Sequence, residues 1–278
     1  MTDLRRDPLS GRLVAIAPGR ATRPGASLLT VPPADEAELE ACPFCAGRED
    51  RTPPEVLRLG DPWQVRVGPN LYPAVERQEV VVHTPRHARS IAELDDSELA
   101  LVAEAWQRRA TGRGTAYVHA LVNEGVDAGS SLPHSHSQLV WLSERPPTIA
   151  VEETAGAHGC PLCRRPADDL VIAERDGVVL SAAWAGRLPY ELLVSPVEHE
   201  ADPWTSARLA PALALAAEGL RRLHAVEGPR PANAWLHASG HWHVEVLPRL
   251  AVMAGLELGA EIYVNTLAPE EAAARLRS

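Results

Sequence analysis

Apolar and β-branched residues gather in short runs: EVVVH at 79–83, AYVHALV at 116–122, QLVWL at 138–142, LVIAE at 170–174, LLVSP at 192–196 and HVEVLP at 243–248. Runs of this length and composition predict strands. Between them lie longer segments of helical character, DDSELALVAEAWQRRAT at 95–111 and TSARLAPALALAAEGLRRLHAV at 205–226. The first opens on Asp95-Asp96, a helix-start signal. APEEAAARLRS at 268–278 predicts a short final helix. Each half of the chain thus reads as strands plus one substantial helix, an α+β arrangement.

The chemistry-bearing residues repeat along with the elements. Cys42-x-x-Cys45 is followed by His87 and then by His134-x-His136-x-Gln138. Cys160-x-x-Cys163 is followed by His199 and then by His241-x-His243-x-Glu245. The steps between these marks are 42 and 47 residues in the first half and 36 and 42 in the second. Recurrence in both order and spacing predicts a duplicated unit. The boundary falls near 145–158, where SERPPTIAVEETAGAHG suits a linker, giving domains 1–150 and 151–278.

Composition narrows the function. The 278 residues carry a formal net charge of −10, which argues against a partner bound by phosphate neutralisation, so no nucleic acid is expected. Every basic side chain other than histidine is arginine and there is no lysine. Any phosphate contact must therefore come from Arg, backbone N–H or hydroxyl groups. No apolar stretch approaches the roughly 20 residues of a membrane span, and MTDLRRDPLSG lacks the apolar core of a secretory signal. A cytoplasmic chain without a membrane partner is expected. In that reducing setting, paired Cys-x-x-Cys motifs favour metal over disulfide.

A zinc ion takes four Cys and His ligands in a tetrahedron. The sets expected are Cys42, Cys45, His87 and His134 in the first half, and Cys160, Cys163, His199 and His241 in the second. Two structural zinc ions per chain follow, with His83 and His158 as rival ligands that spacing leaves open. The two Cys pairs stand 115 positions apart, which excludes one shared zinc ribbon. If 134–138 is extended, alternate residues share a face. His134 can then turn to the metal while His136 stays free beside Gln138. A neutral imidazole is a nucleophile toward phosphorus, but the pattern alone also admits His136 as an ordinary polar strand residue.

Five motifs in one order resemble the galactose-1-phosphate uridylyltransferase family of the histidine-triad superfamily: RRDPLSGRLVAIAPGRATRP, CPFCAGREDRTPPEV, VGPNLYPAV, NEGVDAGSSLPHSHSQ and HWHVEVLPRLAVMAGLELG. The resemblance implies two tandem histidine-triad-like domains with antiparallel sheets, packed as an intramolecular pseudo-dimer, usually within a homodimer. It implies that His136 is the nucleophile and that Gln138 steadies the phosphoryl group. Ser131, Asn123, Arg20 and Arg23 match contacts near the nucleotide and its phosphates, Asn70 a base or ribose contact, and Glu257 a carboxylate on sugar hydroxyls. The family often has proline at the place of Ser135. The second Cys pair resembles a two-zinc branch that includes nucleoside diphosphate sugar phosphorylases. With Glu245 in place of glutamine, negative charge opposes a phosphoryl group, so the second half is expected to be the non-catalytic copy.

The implied reaction is nucleotidyl transfer between a nucleoside diphosphate sugar and a sugar 1-phosphate through a nucleotidyl-histidine. The alternatives are a phosphorylase with inorganic phosphate as acceptor, a hydrolase with water, and a zinc-bound nucleotide-binding module without turnover.

Overall fold

The computed structural model describes residues 3–22, 29–110, 114–157 and 159–278. Arg23 and His158 lie outside the described residues. In chain order the elements are β1 (Asp3–Arg6), β2 (Leu13–Ile16), α1 (Glu36–Ala41), β3 (Leu57–Leu59), β4 (Val65–Pro69), β5 (Arg77–Val82), α2 (Asp96–Ala110), β6 (Tyr117–Glu124), β7 (His136–Leu142) and α3 (Pro147–Gly156). They continue with β8 (Val171–Arg175), β9 (Val178–Ala182), β10 (Leu192–Pro196), α4 (Leu209–Glu227), β11 (Ala232–His237), β12 (His243–Pro248), α5 (Gly255–Ala260), β13 (Ile262–Asn265) and α6 (Pro269–Arg277).

Ten strands form one antiparallel sheet in the order β3-β4-β5-β7-β6-β11-β12-β10-β9-β8. Read outward from the central β6–β11 pair, both wings have the same topology: β6-β7-β5-β4-β3 on one side and β11-β12-β10-β9-β8 on the other. The α+β duplication legible in the spacing is therefore one continuous sheet about a pseudo-twofold, with α2 serving one wing and α4 the other.

The pleat separates the two faces of the sheet. Val67, Val81, Leu139, Val122, Ala234, Val244, Val194 and Leu180 share one face and are buried in the main core beneath α2 and α4. Helix α2 begins on a reciprocal cap: Asp95 Oδ1 accepts from Glu98 N at 2.9 Å and Glu98 Oε2 accepts from Asp95 N at 2.9 Å. It buries Leu99, Val102, Ala103 and Trp106, a stripe at helical spacing. Helix α4 approaches its strands closely at Gly219, where an added Cβ would lie 2.5 Å from Leu192 Cδ1.

Two features lie outside the pattern read from the chain. The stretch expected as a linker forms α3, because Pro147 occupies the first helical turn, where its missing N–H costs nothing. Ile149 of α3 is buried against the second wing. The N-terminal hairpin β1–β2 joins β13 in a separate three-stranded sheet, with Leu13 opposite Ile262 and Val14 opposite Tyr263. This sheet packs Val14 and Ile16 against Ala185, so the first residues of the chain sit with its second half.

Candidate active site

On the face of the sheet away from α2 and α4, three adjacent strands bring their side chains into rows. Arg66, Val82 and His136 form one row, and Gly68, Val80 and Gln138 the next. With the loops after Cys42, Arg51 and Ser131 they line a cavity of about 450 Å³. His136, Gln138, Ser131 and Asn70 are thereby brought together. Its apolar wall comes from Pro43, Phe44, Val80, Val82 and Leu132.

His136 is buried, and its Nδ1 lies 2.7 Å from the carbonyl oxygen of His134. A carbonyl only accepts, so Nδ1 carries the proton and Nε2 keeps its lone pair. Among the described residues Nε2 has no protein hydrogen bond. Burial lowers the His136 pKa and keeps the ring neutral, although the bond to His134 opposes the shift. Gln138 Oε1 accepts from Gln78 Nε2 and from Asn70 Nδ2, the latter at 3.4 Å. That leaves its amide NH₂ as a donor at the cavity wall.

Directly behind His136, Cys42, Cys45, His87 and His134 place their ligand atoms within 4.8 Å of one another. The Nδ1 of His134 lies 3.3 Å from Cys42 Sγ and that of His87 lies 3.4 Å from Cys45 Sγ. The far nitrogens are oriented by oxygens: His134 Nε2 donates to Thr84 O at 2.9 Å and His87 Nε2 faces Glu38 at 2.9 Å. Cys160, Cys163, His199 and His241 repeat the arrangement within the same limit. His241 Nε2 donates to Pro196 O at 3.0 Å. Two thiols, two Nδ1 atoms and carbonyl or carboxylate partners on the outer nitrogens fit a closed tetrahedral metal site. The rival His83 is in neither group.

The remaining expected positions fall elsewhere. Asn123 shares the face of His136, but its Oδ1 accepts from Asn233 Nδ2 at 2.8 Å and it does not line the cavity. Arg20 is exposed in a short turn at Pro18–Arg20, away from the cavity lining. Glu257 sits in the first turn of α5, where its Oε2 accepts from Ala254 N at 2.9 Å. Reading the chain missed Arg66, which is buried and lines the cavity. Its Nη1 reaches Thr52 Oγ1 at 3.3 Å and its guanidinium lies 4.7 Å from the Trp63 ring centre. The signal was present: Arg66, Gly68 and Asn70 alternate along β4 into the NLYP motif.

The second wing keeps the frame and changes the chemistry. His243 Nδ1 donates to His241 O at 3.1 Å, as its counterpart does. Its Nε2, however, is buried and makes no hydrogen bond among the described residues, with Glu152 of α3 at 3.9 Å and Glu245 at 4.0 Å. Glu152 also accepts from or pairs with His237 Nδ1 at 2.9 Å. Glu245 is bonded by Arg187 Nη2 at 2.5 Å, and Arg187 also binds Glu191 through Nε at 2.8 Å. Burial alone would raise the Glu245 pKa, but Arg187, His237 and Arg12 hold it well below the usual carboxylate range.

A two-winged antiparallel sheet, with an HxHxQ strand over a Cys₂His₂ group, defines a duplicated histidine-triad-type protein. The chain is galactose-1-phosphate uridylyltransferase-like and belongs to the family described as "Domain of unknown function (DUF4921)", whose model matches residues 98–278. Its relatives include ADP-glucose phosphorylase of Arabidopsis thaliana, 28% identical over 99% of this chain and 92% of that protein. Galactose-1-phosphate uridylyltransferase of Thermotoga maritima is 24% identical over 100% and 98%. Among solved structures, an ADP-glucose phosphorylase from Arabidopsis thaliana with bound ADP-glucose matches with a TM-score of 0.88 at 27% identity, covering 100% of this chain and 98% of that one. Among the described residues no helix is long and apolar enough to cross a membrane.

Proposed function

We propose that this chain is a nucleotidyltransferase that moves a nucleoside monophosphate from a nucleoside diphosphate sugar to a sugar 1-phosphate through a covalent nucleotidyl-histidine at His136. The observation that carries the reading is the His136 ring: Nδ1 is tied to the His134 carbonyl and Nε2 presents a lone pair at the floor of a cavity. In the first step Nε2 attacks the α-phosphorus in line, the N–P bond forms, and the bond from phosphorus to the bridging oxygen breaks. The sugar 1-phosphate leaves with that electron pair. The Nδ1–H bond to His134 O stabilises the positive charge that develops on the ring. The Gln138 amide donates to a non-bridging oxygen, with Ser131 as a second donor. In the second step an acceptor phosphate oxygen attacks the same phosphorus and the N–P bond breaks. Two inversions give net retention.

A second reading takes inorganic phosphate as the acceptor. It is favoured by the full-length similarity to ADP-glucose phosphorylase. The two Cys₂His₂ groups are assigned to zinc; closed sites of this kind hold remote segments together. The first wing is the catalytic one and the second a non-catalytic copy, within a cytoplasmic homodimer.

The test is incubation with a panel of α-labelled ADP-, GDP- and UDP-sugars, followed by a chase. Acid-labile label on His136, released by a sugar 1-phosphate, supports the first reading. Release by phosphate alone supports the second. Nucleotide-sugar binding without any label would make the chain a binding module and end both.

A further inference from the structure

The serines of the HSHSQ strand point away from the cavity, and each is held from beneath by one buried side chain. Trp106 Nε1 donates to Ser137 Oγ at 2.8 Å. His83 faces Ser135, with its Nδ1 2.9 Å from Ser135 Oγ and its backbone N–H donating to Ser135 O at 3.3 Å. The backbone N–H of Ser135 in turn donates to Ala88 O at 2.6 Å. His83 is fully buried at the end of β5, and its Nε2 meets no partner among the described residues. It takes no part in either Cys₂His₂ group. An imidazole with one nitrogen left unpaired in a core costs stability that an apolar side chain would not. The site therefore keeps His83 for the bond that it makes.

We propose that His83 is a positioning residue for the nucleophile, acting through Ser135 to fix the two peptide units between His134 and His136. The inference rests on the reading of His136 as nucleophile. The carbonyl that sets the His136 tautomer belongs to the peptide joining His134 to Ser135. The next peptide, joining Ser135 to His136, carries the nucleophile's own Cα. Both hinge on Ser135, and His83 holds that residue at main chain and side chain together. Proline at the middle position, as the related pattern often has, would restrict the same hinge through its ring. With serine there the restraint has to come from outside, and His83 supplies it. The cavity side of the strand carries the chemistry and the covered side carries its alignment.

The test compares His83→Phe, His83→Asn, Ser135→Ala and the double variant His83→Phe/Ser135→Ala in single-turnover transfer of an α-labelled nucleotide sugar to His136. Misplacement of a reacting group by a fraction of an ångström is expected to slow the step by roughly tenfold or more in His83→Phe and in Ser135→Ala. The donor concentration for half-maximal rate should stay within about twofold. The double variant should be no slower than either single one, because both remove the same bond. Asparagine places a nitrogen or oxygen near the position of Nδ1 and should restore most of the rate. Wild-type rates in His83→Phe, or losses that multiply in the double variant, would overturn the proposal. If His83→Phe does not fold, Ser135→Ala with and without His83→Asn carries the comparison. The same variants are read without turnover from the ¹⁵N shifts of the His136 ring, where wild type should show one Nδ1–H tautomer and His83→Phe a mixture. An unlabelled wild-type protein would end the proposed function; an unmoved His136 spectrum would end the role of His83.

Discussion

His134 offers its carbonyl oxygen to His136 Nδ1 at 2.7 Å while its own Nδ1 faces Cys42 Sγ at 3.3 Å. One residue thus links the first Cys₂His₂ group to the candidate nucleophile without sharing a side chain between them. His136→Asn is therefore expected to lose turnover by roughly a thousandfold or more, while metal content and thermal midpoint stay at wild-type values. Elemental analysis and a turnover assay on the same preparation check this. Substantial turnover in the variant would remove His136 from the mechanism.

The two Cys₂His₂ groups differ in exposure. Cys42 and His134 of the first are buried, whereas Cys163 and His199 of the second are exposed. Protein purified without added metal should contain about two zinc ions per chain, and a chelator should strip them in two phases, the second-wing ion first. Cys42→Ser should lower stability by about 3 kcal/mol, which in a chain of this size moves the thermal midpoint by roughly 6–12 °C. A metal-free preparation with an unchanged midpoint would contradict the structural role.

Much of this was legible because metal and phosphoryl chemistry restrict the residue types that can serve. The Cys and His positions stand out at repeated spacing, and the structure places both sets of four within reach of one ion. Helices α2 and α4 were legible because their apolar stripes are long. The sheet of β1, β2 and β13 was not, since its strands are short and β13 finds β2 only across nearly the whole length of the chain. Arg66 and Phe44 escaped for another reason: they are ordinary residue types, and only the β4–β5–β7 register for Arg66 and the placing of the Cys42–Cys45 loop for Phe44 make them cavity walls. Arg20 and Glu257 show the converse, matching family motifs while standing away from the cavity lining of this chain.

Glu124 gives a pH signature of stability. It lies buried at the end of β6, accepting from Ser90 Oγ and from Ile91 N, each at 2.6 Å. Burial pushes its pKa up to about 7, against those two bonds. A raised carboxyl pKa means that the folded chain holds the proton more tightly than the unfolded chain. Stability from this group is complete below about pH 4.3, the ordinary glutamate range, and is lost as pH rises through 7. Urea unfolding at pH 5 and pH 8 should therefore show wild type losing of order 2 kcal/mol relative to Glu124→Gln across the interval. Parallel pH profiles for the two proteins would refute the assignment.

Glu245 tests whether the proposed silence of the second wing rests on one residue or on its surroundings. Glu245→Gln restores HxHxQ there, so a purely local view predicts a second reactive histidine at His243. The geometry argues otherwise. His243 Nε2 faces Glu152 of α3 at 3.9 Å, and the pocket that His243 lines, with Leu162 in the place of Phe44, also carries Glu152 and Glu153, whose negative charge opposes a phosphoryl group. The substitution also leaves Arg187 with Glu191 as its remaining buried carboxylate. Removing one member of a buried ionic group leaves charge uncompensated, so Glu245→Gln should cost about 2 kcal/mol of stability. In a His136→Asn background, where the first wing is mute, it should yield no label on His243 from any nucleotide sugar. Label appearing on His243 would show that Glu245 alone silences the second wing and that Glu152 and Glu153 do not keep a phosphoryl group away.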